Sequence, residues 1–237
     1  MKLNLNNLFV FRFWNIFLTA LFVINISYGQ GVWTPVIIPA PDANYGGFVV
    51  LSDGTILCKS AGGGSDGNGS IWDKLTPDIH GSYINGTWSQ IAPMASTRLF
   101  FSTQMLMDGR VYVAGGEYGT DGYQLGAHSE VYNPLTNVWT ACPLEGNVIS
   151  DANSEILPDG TVLQALVAGN LRITALYNPI TNTYTNGPTC LGIHNESVWV
   201  KLPDNSILFV NRSSTSSERY IPSIPEGQQK VNLQMLL

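Results

Sequence analysis

VYVAGGEYGTDGYQLGAHSEVYNPLTNVWT, residues 111–140, decides how the whole chain is read. An apolar run ends in the pair Gly115-Gly116, and a polar loop follows. A second apolar stretch then runs into Asn133-Pro134, a turn and Trp139. The run itself begins earlier, in TQMLMDGRVYVAGG from Thr103, and this segment has three relatives in the chain. They are FVVLSDGTILCKSAGGG from Phe48, SEILPDGTVLQALVAG from Ser154 and VWVKLPDNSILFVN from Val198. Each is a short β-rich run, a turn and a second β-rich run, too short and too β-branched for helices. The turns are Asp53-Gly54, Asp108-Gly109, Asp159-Gly160 and Asp204-Asn205. These residue types tolerate the positive φ of a two-residue hairpin.

A third strand follows in SEVYNPLTN from Ser129, ITALYNPITN from Ile173 and SERYIP from Ser217. Proline cannot donate to a ladder, so the Asn-Pro pieces are turns. An aromatic fourth strand comes next at Trp139-Thr140, Tyr184-Thr185 and, in the first unit, Trp88-Ser89. Four-stranded units at spacings of about 45–55 residues have the size of a propeller blade. The composition agrees. Charged residues are only 12% of the chain, aromatics 11%, and there are 24 glycines. This is an all-β composition with many turns.

The Asp-Gly turn, the Gly pair, Tyr132 and Trp139 together resemble the kelch repeat, from about Gly31 to Pro222. The resemblance is sharpest in the second unit. The third keeps only Ala168-Gly169 and has Tyr184 for Trp, and the fourth has Val210-Asn211 and no outer strand. It implies a kelch-type β-propeller, related to the propeller of galactose-oxidase-like proteins. The Gly pair is expected where strands crowd, and Tyr132 with Trp139 between adjacent sheets. Gly31-Val32-Trp33-Thr34-Pro35 resembles the fourth strands and is expected to be a stray outer strand that completes a last blade. Kelch propellers have about six or seven blades, whereas four sets of inner strands are recognisable here. The expectation is a partial propeller. The rival is a closed ring of four, because four outer strands match four inner sets.

Residues 1–29 read as a secretory signal peptide, with Lys2 and Arg12 before an apolar stretch and Ser27-Tyr28-Gly29 at its end. A membrane anchor is the alternative, though the run is shorter than the ~20 residues a span needs. After cleavage no segment would span a bilayer. The blades then occupy residues 30–222 and an irregular tail residues 223–237. The expected location is secreted, periplasmic or the cell surface. Sequons occur at Asn68, Asn85, Asn195 and Asn211. Cys58, Cys142 and Cys190 have no metal spacing, and the sequence leaves open whether Cys142 and Cys190 pair.

The net charge of −6 and the lack of a Lys/Arg cluster exclude a nucleic-acid surface. His80, His128 and His194 lack ligand-like neighbours, and no Gly-x-Ser-x-Gly elbow is present. Gly62 to Ser70 is Gly-rich but lacks the Lys and helix of a phosphate loop, and reads as a flexible loop. The resemblance raises a copper radical oxidase, whose cross-linked Cys and Tyr would fall at Ser102 and Asp151. Neither residue can form the thioether, so no cofactor is expected and no catalytic or metal residue is assigned. Loops leading into inner strands gather at one mouth of a propeller. The candidate ligand-binding set is therefore Tyr45, Arg98, Asp151, Asn153, His194, Asn195 and Glu196. The expected function is an exported, non-catalytic module that binds a carbohydrate or a protein. The alternatives are a degenerate oxidase relative without an intact copper site and a pure scaffold.

Overall fold

The computed structural model describes residues 31–119, 128–142, 148–167, 172–211 and 214–223. The expected signal peptide and the tail from residue 224 lie outside the described residues. The chain divides into two compact units, Met1–Pro35 and Val36–Leu237. In the first, residues 31–35 form no strand and Trp33 is fully exposed. The expected outer strand is thus not formed.

The second unit is all β. Its strands are β1 (Tyr45–Val50), β2 (Ile56–Ser60), β3 (Trp72–Thr76), β4 (Thr87–Gln90), β5 (Ser102–Met105), β6 (Val111–Ala114), β7 (Ser129–Asn133), β8 (Val138–Ala141), β9 (Ser154–Ile156), β10 (Val162–Ala165), β11 (Thr174–Asn178), β12 (Thr183–Asn186), β13 (Val198–Lys201), β14 (Ile207–Val210) and β15 (Ser217–Tyr220). They form four antiparallel sheets in chain order: β1–β4, β5–β8, β9–β12 and β13–β15. These are blades 1 to 4, the last with three strands. β3 lacks the Asn-Pro turn that marks β7 and β11, so the sequence pattern did not single it out.

The sheets pack face to face. Leu57 and Trp72 of blade 1 share a core with Val111, Val113 and Tyr132 of blade 2. Trp139 crosses to Trp72 with ring centroids 5.7 Å apart, so the expected packing of Tyr132 and Trp139 between sheets is found. The opposite face of blade 2 carries Tyr112, stacked on Tyr177 of blade 3 at 5.0 Å. Leu163 of blade 3 then clusters with Trp199, Ile207 and Phe209 of blade 4. Each large apolar side chain buried this way contributes roughly 1.5–3 kcal/mol. The innermost strands run side by side as β1, β5, β9 and β13. No comparable packing joins β13 to β1 among the described residues. Phe48 and Val50 on β1, and Val198 and Val200 on β13, are instead exposed, so both ends of the run present apolar faces.

The hairpins between the first two strands of each blade are wider than two residues. Leu51 N–H donates to the Thr55 carbonyl at 2.8 Å and Gly54 N–H to the Leu51 carbonyl at 3.0 Å; Leu106, Leu157 and Leu202 open the same pattern. Only the second turn residue is left-handed, with φ of 83° at Gly54, 85° at Gly109, 87° at Gly160 and 66° at Asn205. The aspartate stays right-handed because its carboxylate has another task. Asp53 Oδ1 accepts from the Thr55 amide and hydroxyl, and Asp159 and Asp204 do the same for Thr161 and Ser206. This is a type I turn with a bulge.

The Gly pair sits in a crowd, as expected. A Cβ on Gly115 would lie 2.1 Å from the Ser150 carbonyl, and one on Gly116 would lie 2.8 Å from Arg98. The Gly-rich loop after β2 is packed rather than flexible. Lys59 is almost wholly buried beneath it and donates to the Asn68 carbonyl, while Asp66 accepts from the Thr97 hydroxyl. A Cβ on Gly69 would collide with the Ser60 carbonyl. The glycines are there for close approach to this loop's own stem.

Candidate functional site

The loops leading into the innermost strands share one plan. Ten residues before the turn aspartates Asp108, Asp159 and Asp204 stand Arg98, Ile149 and His194, all buried. Arg98 donates to Glu130 on β7 at 2.8 Å and to the carbonyls of Gly115 and His128 at 3.0 and 2.8 Å. Glu130 also accepts from the Ala95 amide at 2.7 Å. His194 meets Glu218 at the matching place on β15, at 2.8 Å, and Glu218 accepts from the Leu191 and Gly192 amides at 2.8 Å. Burial works against the Glu218 charge, but His194 and the two amides outweigh it and hold the carboxyl below its usual range. In blade 3 the matching pair is Ile149 and Ala175, so acid and base are replaced together by apolar residues. Arg98 and His194, two of the expected mouth residues, are therefore internal clamps that hold these loops to their own blades.

Two residues further on the pattern changes. Eight residues before the turn aspartates Asp53, Asp108, Asp159 and Asp204 stand Tyr45, Phe100, Asp151 and Glu196. Phe100 and Glu196 are exposed and left-handed, with φ of 53° and 49°. Asp151 is half-buried. Burial, and then the charges of Glu117 and Glu196, push its carboxyl above the usual range. Tyr45 turns into its own sheet, donating to Asp73 at 2.8 Å and stacking on Trp88 at 6.0 Å. Asn153 donates to the Ser197 carbonyl and ties the loops of blades 3 and 4 together. The backbone carbonyl of Asn195 accepts from the Ser197 hydroxyl at 3.1 Å. The structure thus gathers Asp151, Asn153, Asn195 and Glu196, and takes Tyr45, Arg98 and His194 elsewhere.

A cavity of about 230 Å³ opens among β1, β5 and β9. Phe48, Phe100, Gln104 and Asn153 are in its wall. Phe100 and Gln104 were not among the expected residues. The adjacent aromatics Phe100-Phe101 in a loop at the mouth were the available signal. Ser102 is also in this wall, but its hydroxyl is 3.0 Å from the buried Gln164 side chain, which accepts from it. Among the described residues no three His, Cys, Asp or Glu side chains are placed to hold a metal ion. Burial pushes the thiols of Cys58, Cys142 and Cys190 up to about 11, and all three are unbridged. Cys190 lies 3.9 Å from His194 Nδ1, but the Trp199 indole donates to that nitrogen at 2.8 Å. This histidine is not set to draw a proton from the thiol. No helix among the described residues is long and apolar enough to cross a membrane.

No protein-family description matches the chain, and no curated protein matches it significantly. Among solved structures, one titled "Structure of YjhT" matches with a TM-score of 0.53 and 16% identity, over 74% of this chain. The likeness is one of fold. The matched region spans 60% of that structure's length.

Proposed function

We propose that this chain is an exported, non-catalytic binding module with kelch-type blades, which recognises a carbohydrate or a protein through the loops at its mouth. One observation carries the reading. The position ten residues before the turn aspartate is buried in blades 2 to 4 and serves the frame, as a clamp in blades 2 and 4. The position two residues later holds Tyr45, Phe100, Asp151 or Glu196, a different side chain in every blade. A constant frame that presents varied residues in blades 2 to 4, with Phe100 in the wall of a cavity, is how a scaffold supports recognition. Exposed Phe100 offers a stacking face, while Asp151, Asn153 and Glu196 offer polar contacts of the kind sugar hydroxyls or peptide amides require. Kelch type rests on the Asp-Gly turn, the Gly pair and the Tyr132–Trp139 spacing, and export rests on residues 1–29.

The test is a glycan array with the purified chain, repeated with Phe100→Ala and Glu196→Ala. Saturable binding that both variants weaken, without a change in thermal melting, is the expected result. Binding that neither variant affects would remove the mouth from the reading. Cell fractionation with N-terminal sequencing checks export, and an uncleaved chain in the cytosol would overturn it.

A further inference from the structure

Blade 4 clamps its mouth loop with a side chain that changes charge in mild acid. Where blade 2 has Arg98 and blade 3 has Ile149, blade 4 has the buried His194. Arginine stays charged and isoleucine carries no charge, whereas an ordinary imidazole takes up a proton within about pH 5–8. Five residues before the turn aspartate, blades 2 and 3 have Thr103 and Ser154, and blade 4 has Trp199. The histidine and this tryptophan therefore occur together.

Both ring nitrogens of His194 are engaged. Nε2 lies 2.8 Å from Glu218 Oε1, and Nδ1 lies 2.8 Å from Trp199 Nε1. An indole N–H only donates, so Nδ1 must accept. The proton of the neutral ring is then on Nε2, which donates to the carboxylate. A second proton has only Nδ1 to go to, and there it meets the indole N–H. Two donors cannot share that contact. The ring's other neighbours suit the charged form. Glu218 accepts from Nε2 in either state, and Phe209 lies flat on the ring with centroids 3.8 Å apart and planes at 5°. The contact that protonation breaks is the one with Trp199.

Among the described residues, Glu218 faces the ring from β15, and Cys190 faces it from the loop, with its sulfur 3.9 Å from Nδ1. Burial pushes that thiol up to about 11, so it is neutral in mild acid. β13 and β14 present the uncharged Trp199 and Phe209. Arg219 and Tyr220 line the same cavity as His194, but Arg219 is turned to Asp204 and Ser206. Glu196, two residues on, is exposed.

We propose that His194 and Trp199 form an acid-operated latch, in which a proton on His194 Nδ1 ejects the Trp199 indole while Glu218 and Phe209 keep the ring in place. Trp199 belongs to the cluster that joins Leu163 of blade 3 to blade 4. The segment between His194 and Trp199 carries Asn195 and Glu196, and its Ser197 carbonyl accepts from Asn153 of blade 3. Acid therefore loosens the blade 4 side of the mouth. The effect on recognition rests on the function proposed above, whereas the latch is read without a ligand, so either can fail alone.

The test is an NMR titration of the purified chain from about pH 8 to 5, following the His194 ring and the Trp199 indole N–H. The indole proton is expected to move upfield, as a released N–H does, with the same midpoint as His194. In Trp199→Phe the donor that competes for Nδ1 is gone, so His194 should take its proton at a pH higher by roughly half to one unit. In His194→Gln the indole should no longer respond to pH. An indole that stays in place while His194 titrates overturns the latch. So does a His194 that remains neutral until the chain unfolds, or an unchanged midpoint in Trp199→Phe. Should a variant fail to fold, the joint titration of the two rings in the parent chain decides by itself.

Discussion

The guanidinium of Arg98 lies 2.8 Å from the carboxylate of Glu130, and both side chains are almost entirely out of solvent. Removing one partner of such a pair leaves a buried charge, at a cost of about 3–5 kcal/mol. Arg98→Met should lower stability by that amount, read from the urea midpoint. The double change Arg98→Ile with Glu130→Ala copies the Ile149 and Ala175 of blade 3. It should recover at least half of the loss. A double variant as unstable as the single one would mean that the amide bonds from Ala95 and Ser96 to Glu130, not the charge pair, hold the loop.

Two tryptophans with the same neighbours in sequence should behave oppositely. Trp139, in Val-Trp-Thr, packs on Trp72 and Tyr132 and donates to the Ala92 carbonyl. Trp33, also in Val-Trp-Thr, is fully exposed. Trp139→Ala should cost about 3–5 kcal/mol, whereas Trp33→Ala should stay within about 0.5 kcal/mol. Calorimetry of the two variants checks this. A large loss at Trp33 would show that it occupies a sheet in solution.

The blades were legible in the sequence because their determinants are local. An Asp-Gly turn between two β-rich runs specifies a hairpin wherever it sits, and Asn133-Pro134 or Asn178-Pro179 ends the third strand by chemistry alone. β3 was missed because its exit, residues 77–86, is longer and Thr76-Pro77 stands where the other blades have Asn-Pro. The clamps were not legible. Arg98 and His194 look like surface residues of polar loops, and only the fold brings Glu130 and Glu218, more than twenty residues away in sequence, against them. The same holds for Lys59, whose burial depends on a loop that composition alone presents as flexible.

Lys59 gives a pH signature. Burial lowers its ammonium from 10.5 to about 8, so the folded chain releases this proton before the unfolded chain does. Below pH 8 both states are charged and the penalty is constant. Between about pH 8 and 10.5 only the unfolded state holds the proton, so stability rises with pH, by on the order of 3 kcal/mol at most. Lys59→Met removes the effect. The difference in urea midpoint between the variant and the parent should therefore shrink across this window. A constant difference would mean that Lys59 reaches water.

Asp151 carries the opposite sign. Burial and the charges of Glu117 and Glu196 raise its carboxyl, so the folded state disfavours the ion. The penalty is complete above the folded pKa, including at neutral pH, and is relieved as pH falls through that value. Asp151→Asn should be the more stable protein at pH 7, by up to about 1 kcal/mol. The advantage should fade as pH is lowered toward about 4, where an ordinary aspartate takes its proton. Denaturation midpoints at both pH values check the sign. A destabilised variant at pH 7 would mean that the carboxylate is satisfied by a donor. If Asp151 is kept charged for recognition, the same variant should melt higher and bind the mouth ligand less well, because a strained group at a site trades stability for contact.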